Sequence, residues 1–323
     1  MADTGMPDSP VLDLPGAVPA SWPDEGVAAH YGDPYREQRA LDAGTGFTDR
    51  SNRGVVTVSG PDRLTWLHSL TSQVLDKLVP GESAQALILD PNGHVEHHLP
   101  VTDDGTTAWI HVEPGMAGSL VSFLESMRFM LRVEVTDVSA EYAVLTVAGA
   151  DQIRPRAALA ATAAELAGRG TTPAGMWAFE ALRIAAHVPR LGVDTDHKTI
   201  PHEVGWIETA VHLNKGCYRG QETVARVHNL GHPPRRLVFL NLDGSEDRLP
   251  EHGDPVELDG ARVGWVGSAA RHYELGPIGL ALVKRTVPVD ATLLAGGIAA
   301  AQEVVVSPDA GANVQVTLRS RRI

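Results

Sequence analysis

The chain of 323 residues has a single cysteine, and one cysteine cannot close an internal disulfide. A disulfide framework is excluded, and a reducing, cytoplasmic compartment is the natural expectation. Long apolar runs are missing too: no stretch approaches the roughly 20 residues that a membrane-spanning helix needs, so no membrane partner is expected. Basic charge is scarce, with 27 Lys and Arg against 40 Asp and Glu and a formal net charge of −13. That balance argues against general binding to nucleic acid, whose affinity comes largely from cations that neutralise phosphates. The first 25 residues hold five acids, several prolines and no Lys or Arg, whereas a secretory signal needs a basic start and an apolar core. Residues 1–30 are therefore expected to form a disordered acidic leader.

What is present is a soluble globular composition, 43% apolar and 21% charged, on a chain long enough for two or three domains. Val55–Val58 reads as a strand, and Ser59-Gly60-Pro61-Asp62 opens a helix carried by Leu64, Leu67 and Leu70. Ala84–Asp90 and His94–Val101 are two arms of a hairpin around Asp90-Pro91-Asn92-Gly93, where Pro presets the backbone and Asn-Gly tolerates positive φ. On the second arm His94, Glu96 and His98 alternate onto one face and His97 onto the other. No further ligand set accompanies them, so no metal site is expected. Thr107–Val112 is the next strand, Met116, Leu120, Phe123, Leu124, Met127 and Leu131 mark an amphipathic helix, and strands are expected at 131–135 and 142–147. Thr172-Pro173 reads as the cap of a helix containing Trp177, Leu182, Arg183 and Ile184. The mixture lacks a steady βαβ alternation, which makes the fold class α+β. Short strands at 237–242, 255–258, 262–266, 278–283, 304–306 and 314–318 then predict a C-terminal antiparallel β-barrel domain over 236–323.

The lone cysteine lies in Lys215-Gly216-Cys217-Tyr218-Arg219-Gly220-Gln221-Glu222. Gly220 breaks the chain, and Gln221–His228 has the composition of a short helix ended near Gly231. Cys217 thus precedes a helix N-terminus, where unpaired N–H groups together with Lys215 and Arg219 favour a thiolate, the form that attacks electrophiles or binds soft metals. The bland alternative is a small, inert, buried residue. Between positions 215 and 236 five cations, Lys215, Arg219, Arg226, Arg235 and Arg236, face one acid, Glu222. Such a run is either a solvated face or a basic patch suited to a small anionic ligand.

The eight residues from Lys215 to Glu222 resemble the motif of the YgfZ-type folate-binding family, relatives of the glycine-cleavage aminomethyltransferase or T-protein. Weaker likenesses accompany it in Val58–Asp62, Leu67–Ser72, Leu182-Arg183-Ile184, Leu191–Asp194, Pro201–Gly205, Gly264–Ser268 and Ile278–Ala281. The resemblance implies a three-domain ring with tetrahydrofolate in a central cavity. Residues 31–235 would be a folate-binding region of two interleaved subdomains, followed by the barrel. It also implies support for the assembly or repair of iron–sulfur proteins, with indirect effects on tRNA modification, so that folate and iron–sulfur client or assembly proteins are the implied partners. By position, Glu203 would meet the pterin edge, Cys217 would be the functional thiol, Lys215, Arg219 and Arg226 would suit the glutamate tail, and Arg183 would join the site. T-proteins carry an aspartate pair after the hairpin turn, where this chain has His97 and His98. Imidazole moves protons but gives no fixed negative charge, which disfavours ordinary aminomethyl transfer. A folate-dependent one-carbon transferase or demethylase using another acid or base is the alternative.

Overall fold

The computed structural model describes residues 6–312 and places its strands in four sheets. β1 (Val18–Pro19) and β2 (Ala28–His30) pair near the N-terminus and lead into α1 (Pro34–Asp42). β3 (Gly46–Arg50) and β4 (Gly54–Ser59) follow each other closely yet join different sheets. β4 assembles with β5 (Ser83–Leu89), β6 (Val95–Asp103), β7 (Thr107–Val112) and β8 (Glu134–Asp137) in the order β5-β6-β7-β4-β8. α2 (Arg63–Leu70) and α3 (Ala117–Met127) cover one face, burying Leu67, Leu120 and Leu124 against Val56, Leu99 and Ile110. The chain then returns to β3, adding β9 (Tyr142–Val147), β10 (Ala150–Pro155) and, beyond α4 (Leu159–Gly168), β11 (Thr172–Ala174). The sheet order is β10-β9-β3-β11, so the two N-terminal units interleave along the chain.

α5 (Met176–Ala185), the short α6 (Trp206–Thr209) and α7 (Gln221–Leu230) lead to the barrel. There β12 (Arg235–Leu242), β13 (Pro255–Leu258), β14 (Ala261–His272), β15 (Gly276–Lys284), β16 (Thr292–Ala295) and β17 (Ile298–Val304) close in the order β12-β15-β14-β13-β16-β17. Closure leaves no free edge, and Val238, Leu240, Val256, Ala281 and Leu293 fill the interior.

The sequence-based expectations miss in instructive places. The last described strand is Ile298–Val304 rather than 304–306, because its inward positions Ile298 and Ala300 alternate with exposed alanines too small to announce a period of two. Thr172-Pro173 belongs to β11, which pairs in parallel with β3, and α5 begins only at Met176. The strand expected at 314–318 and residues 1–5 of the expected leader lie outside the described residues. Residues 6–30 are not a disordered leader. Val11 packs with Phe47, Leu145 and Leu159 in a core cluster, and Asp24 is buried against Arg190. An acid that composition counts as solvated is here neutralised by a buried guanidinium.

That pair belongs to a charged lattice where the units meet. Arg190 donates to Asp24 at 3.0 and 3.1 Å, to Glu113 at 2.7 and 3.1 Å and to Glu180 at 3.0 Å. Arg53 donates to Glu113 at 2.6 Å and to His111 Nδ1 at 2.9 Å, while His111 Nε2 lies 3.2 Å from Asp151. Burial pushes the Glu113 carboxyl up, but Arg190 and Arg53 together pull it well below the usual carboxylate range.

The imidazoles behave differently. Burial lowers the pKa of His97, His111 and His202 to about 4, against about 6.5 in an unfolded chain. As pH falls through that upper value the unfolded chain gains protons that the folded one does not. Stability present above about pH 6.5 is therefore lost progressively toward the folded pKa. Urea midpoints are expected to fall steadily between pH 7.5 and 5; an unchanged midpoint over that window would show that these rings are not held neutral.

Candidate functional site

The site is built on the β5–β6 hairpin. In its turn Asp90 Oδ1 accepts the N–H groups of Asn92 and His94 at 2.8 Å each, and Gly93 takes φ 86°. The segment from Lys215 to Glu222 seats directly on this turn. Gly220 has φ 80°, and a Cβ there would lie 2.6 Å from the Asp90 carbonyl oxygen. A Cβ on Gly93 would lie 2.8 Å from Thr223. Two glycines thus allow backbone to meet backbone, and a side chain at either position would push the two elements apart.

Around the thiol the segment is fastened at both sides. Lys215 turns inward and its ammonium donates to the carbonyls of His68 and Thr71, at the C-terminal end of α2, where a cation suits the helix dipole. The Tyr218 ring is buried, with the Lys215 ammonium 5.1 Å from its centroid. The Gln221 side-chain amide donates to the Lys215 carbonyl at 3.3 Å. Cys217 and Gly216 are left exposed between these ties, and Glu222 is exposed in the first turn of α7.

Beside the hairpin opens a cavity of about 640 Å³, walled by the β6 start, by Met116, Ser119 and Phe123 at the α3 side, by the 191–197 loop and by Arg219. Arg219 Nη1 donates to Glu96 Oε2 at 2.7 Å, and its guanidinium lies 5.6 Å from the Phe123 ring centre. His97 is on the wall with a buried Nδ1 that has no hydrogen-bond partner among the described residues. Asp196, also on the wall, is held by Arg235 at 2.6 and 3.0 Å; burial raises its carboxyl, but Arg235 and Thr199 bring it down to about 2, so it is ionised. A second cavity of about 510 Å³ adjoins the first through Met116, Leu191 and Gly192 and runs past Asn52 and Glu113 to the N-terminal segment.

Of the residues picked from sequence, Arg219 lies on a cavity wall. Glu203 does not: it is fully buried, Arg235 Nε and Nη2 bond its two oxygens at 2.8 Å each, and the Ile200 N–H donates to Oε2 at 3.1 Å. Three of its four lone-pair sites are taken and it lines neither cavity; it stands one step behind the wall, holding Arg235 on Asp196. Arg183 is saturated, its five N–H donors meeting Glu180 (2.6 and 3.0 Å), Asp194 (2.8 Å), the Val188 carbonyl (2.6 Å) and the Ser268 hydroxyl (2.9 Å). Arg226 is exposed on α7 and lines neither cavity. The five cations do not form one patch: Lys215 caps α2, Arg219 pairs with Glu96, Arg235 joins Asp196 and Glu203, and Arg236 is buried in the barrel. Sequence reasoning missed Met116, Phe123, Leu191 and Asp196. A polar Ser119 interrupting the apolar α3 stripe was the available sign that this face opens onto a cavity.

Two family descriptions match this architecture: the GCVT N-terminal domain over residues 27–164 and the glycine cleavage T-protein C-terminal barrel domain over residues 235–323. The chain thus carries both domains of the glycine cleavage T-protein, which together span more than half of its length. An aminomethyltransferase of Parasynechococcus marenigrum is 27% identical over 305 residues, 77% of this chain and 82% of that one. An iron–sulfur cluster assembly factor, the mitochondrial IBA57 homolog of Mycosarcoma maydis, is 27% identical over 226 residues, 59% of this chain and 56% of that one. The crystal structure of aminomethyltransferase T of the Bartonella henselae glycine cleavage system superposes with a TM-score of 0.77 at 17% identity, covering 91% of this chain and 94% of that one. The fold is that of the T-protein.

Proposed function

We propose that the protein binds tetrahydrofolate in the cavity beside the β5–β6 hairpin and supports the assembly or repair of iron–sulfur proteins through Cys217. Any influence on tRNA modification runs through such client enzymes. The observation that carries this reading is the seating of Lys215–Glu222 on the hairpin turn, since one rigid segment brings Arg219 to the cavity wall and leaves the thiol outside.

The wall fits the cofactor. Met116, Phe123 and Leu191 offer an apolar surface to a flat heterocycle. His97 Nδ1 is an orphaned buried polar atom, of the kind a ligand group or an ordered water completes. Arg219 suits the carboxylates of the glutamate tail, and Glu96 beside it holds that guanidinium in place. When bound, tetrahydrofolate supplies a nitrogen that carries one-carbon groups. In calorimetry the protein is expected to bind one tetrahydrofolate, with Phe123→Ala weakening it about tenfold, since one aromatic wall contributes roughly 1–1.5 kcal/mol. Absence of binding, or equal affinity in the variant, would remove this cavity from the account.

A folate-dependent one-carbon transferase or demethylase is the second reading, and His97 favours it. A neutral imidazole with an unpartnered nitrogen on the wall can accept a proton, as a weak base because burial lowers its pKa to about 4. Steady turnover of a methylated amine with tetrahydrofolate would establish this reading; intact folate binding without turnover leaves the first.

A further inference from the structure

The β5–β6 turn holds a pair of side chains with no part in the function proposed so far. His94 Nδ1 lies 2.8 Å from Asp90 Oδ2, and both residues line the cavity of about 640 Å³. Burial raises the Asp90 carboxyl, but hydrogen bonds from the His94 N–H and ring and from the Asn92 N–H bring it below the ordinary carboxylate value, so it is ionised. An ionised carboxylate only accepts, which places the proton of a neutral His94 ring on Nδ1 and the lone pair on Nε2. The His94 side chain is 30% exposed, and Nε2 has no hydrogen-bond partner among the described residues, so that nitrogen is open to a ligand. The turn keeps the pair in place. Asp90 Oδ1 accepts the Asn92 and His94 N–H groups at 2.8 Å each, the Asp90 N–H donates to the His94 carbonyl at 2.8 Å, and Gly220 closes over the Asp90 carbonyl. An imidazole oriented by a carboxylate, with its other nitrogen free on a cavity wall, has the geometry of a general base.

The other imidazoles lack this setting. His68 pairs with Asp76 at 3.1 Å and His111 with Asp151 at 3.2 Å, but neither pair lines either of the two cavities, and His111 Nδ1 already accepts from Arg53. His97 shares the wall, yet burial lowers its pKa to about 4 and makes it a weak base. The remaining charged or titratable groups on the cavity are Glu96 on β6, Arg219 on the 215–222 segment, and Asp196 and His197 on the 191–197 loop; the α3 side offers Met116, Ser119 and Phe123. Glu96 and Asp196 each hold an arginine, Arg219 and Arg235, and no ion pair orients the exposed His197 ring among the described residues. The adjoining cavity, with Trp22 and the exposed carboxylates Asp8 and Glu25 on its wall, suits a cationic donor.

We propose that His94, oriented by Asp90, is the general base of this cavity and takes the proton that a bound amine gives up as it receives a one-carbon group. The inference rests on the one-carbon reading above and names the residue that moves its proton. The amine lone pair forms the new N–C bond, and the C–N bond of a quaternary ammonium donor breaks with its electron pair leaving on the donor nitrogen. The N–H proton passes to His94 Nε2 and on to solvent, so charge and electrons balance without an oxidant.

The test uses the full chain and two variants. In His94→Asn the amide can keep the bond to Asp90 but takes no proton; in Asp90→Asn the amide can keep the turn but donates to Nδ1, which moves the ring proton to Nε2. Ring-nitrogen NMR of the ligand-free protein is expected to show the Nδ1–H tautomer in the native chain and the Nε2–H tautomer in Asp90→Asn. With tetrahydrofolate and trimethylglycine, His94→Asn is expected to lower kcat by about a hundredfold or more, the range for a lost general base, and to flatten its rise with pH. Folate affinity and melting temperature should stay at their native values. An Nε2–H tautomer in the native ring, or a kcat in His94→Asn within about threefold of native, would overturn the base role alone. No turnover by the native protein would overturn the one-carbon reading and the base role with it.

Discussion

On the proposed function, cells lacking this protein and supplied with its Cys217→Ser variant are expected to show no recovery of iron–sulfur enzyme activity, while the variant is expected to fold and to match the native chain in tetrahydrofolate affinity. Cys217 is exposed, and its neighbours are tied down by Lys215 on α2, by the buried Tyr218 ring and by the Gln221 amide, none of which uses the sulfur. A serine at an exposed position changes stability by no more than about 0.5 kcal/mol. It also leaves the Arg219–Glu96 pair on the cavity wall unchanged, so folate affinity has no reason to move. What serine removes is the soft, nucleophilic atom. Comparing aconitase-type activity in complemented cells with calorimetry on the purified variant separates the two halves of the function. Full recovery of activity with serine would take the thiol out of the mechanism while leaving the folate site intact.

Arg190→Met is expected to destabilise the protein by about 3–5 kcal/mol, the range for removing one partner from a buried ion pair. Arg190 is 6% exposed and holds three carboxylates, Asp24, Glu113 and Glu180, so methionine leaves all three in place without their shared cation. Glu113 keeps Arg53 and Glu180 keeps Arg183, but among the described residues Asp24 retains only the Asn52 amide, at 3.4 Å. Asp24 is therefore where the loss concentrates. Burial already raises its pKa even with Arg190 present, and without the guanidinium it is pushed higher still, so the folded variant binds its proton before the unfolded chain does. Its stability deficit should shrink as pH falls below neutrality, the reverse of the histidine-driven trend in the native protein. Adding Asp24→Asn should return part of the loss, because an amide needs no counter-charge; the double-mutant cycle measures that coupling. A melting temperature lowered by roughly 10 °C in Arg190→Met is the corresponding thermal effect. A deficit that is small, or that grows on acidification, would show that the lattice does not hold the N-terminal segment to the body.

Much of the architecture was legible because its signals are local. Thr107–Val112 and Tyr142–Val147 are bounded in the sequence as they are in the fold, and Asp90-Pro91-Asn92-Gly93 announces its turn by residue type alone. The start of α7 after Gly220 was readable for the same reason. The site was harder, since it is defined by which charges find each other across long separations. Glu203 looked like a free carboxylate until Arg235, 32 positions later, was placed against it, and Arg183 looked like an anion binder until Asp194 and Ser268 closed round it. Residues 6–30 looked disordered because the cation that neutralises Asp24 lies 166 positions away. Composition counts charges one by one, whereas folding pairs them. The seating of Gly220 on Gly93 was hidden for a related reason: a glycine needed for close approach is indistinguishable in sequence from a glycine needed for a turn.

Amide hydrogen exchange with and without saturating tetrahydrofolate tests most directly whether folate binds beside the thiol-bearing segment. The expected result is slowed exchange confined to the hairpin turn and β6 start (90–97), the α3 wall (116–123), the 191–197 loop and the 215–220 segment. Unchanged exchange in all four stretches, or protection elsewhere in the chain, would contradict it.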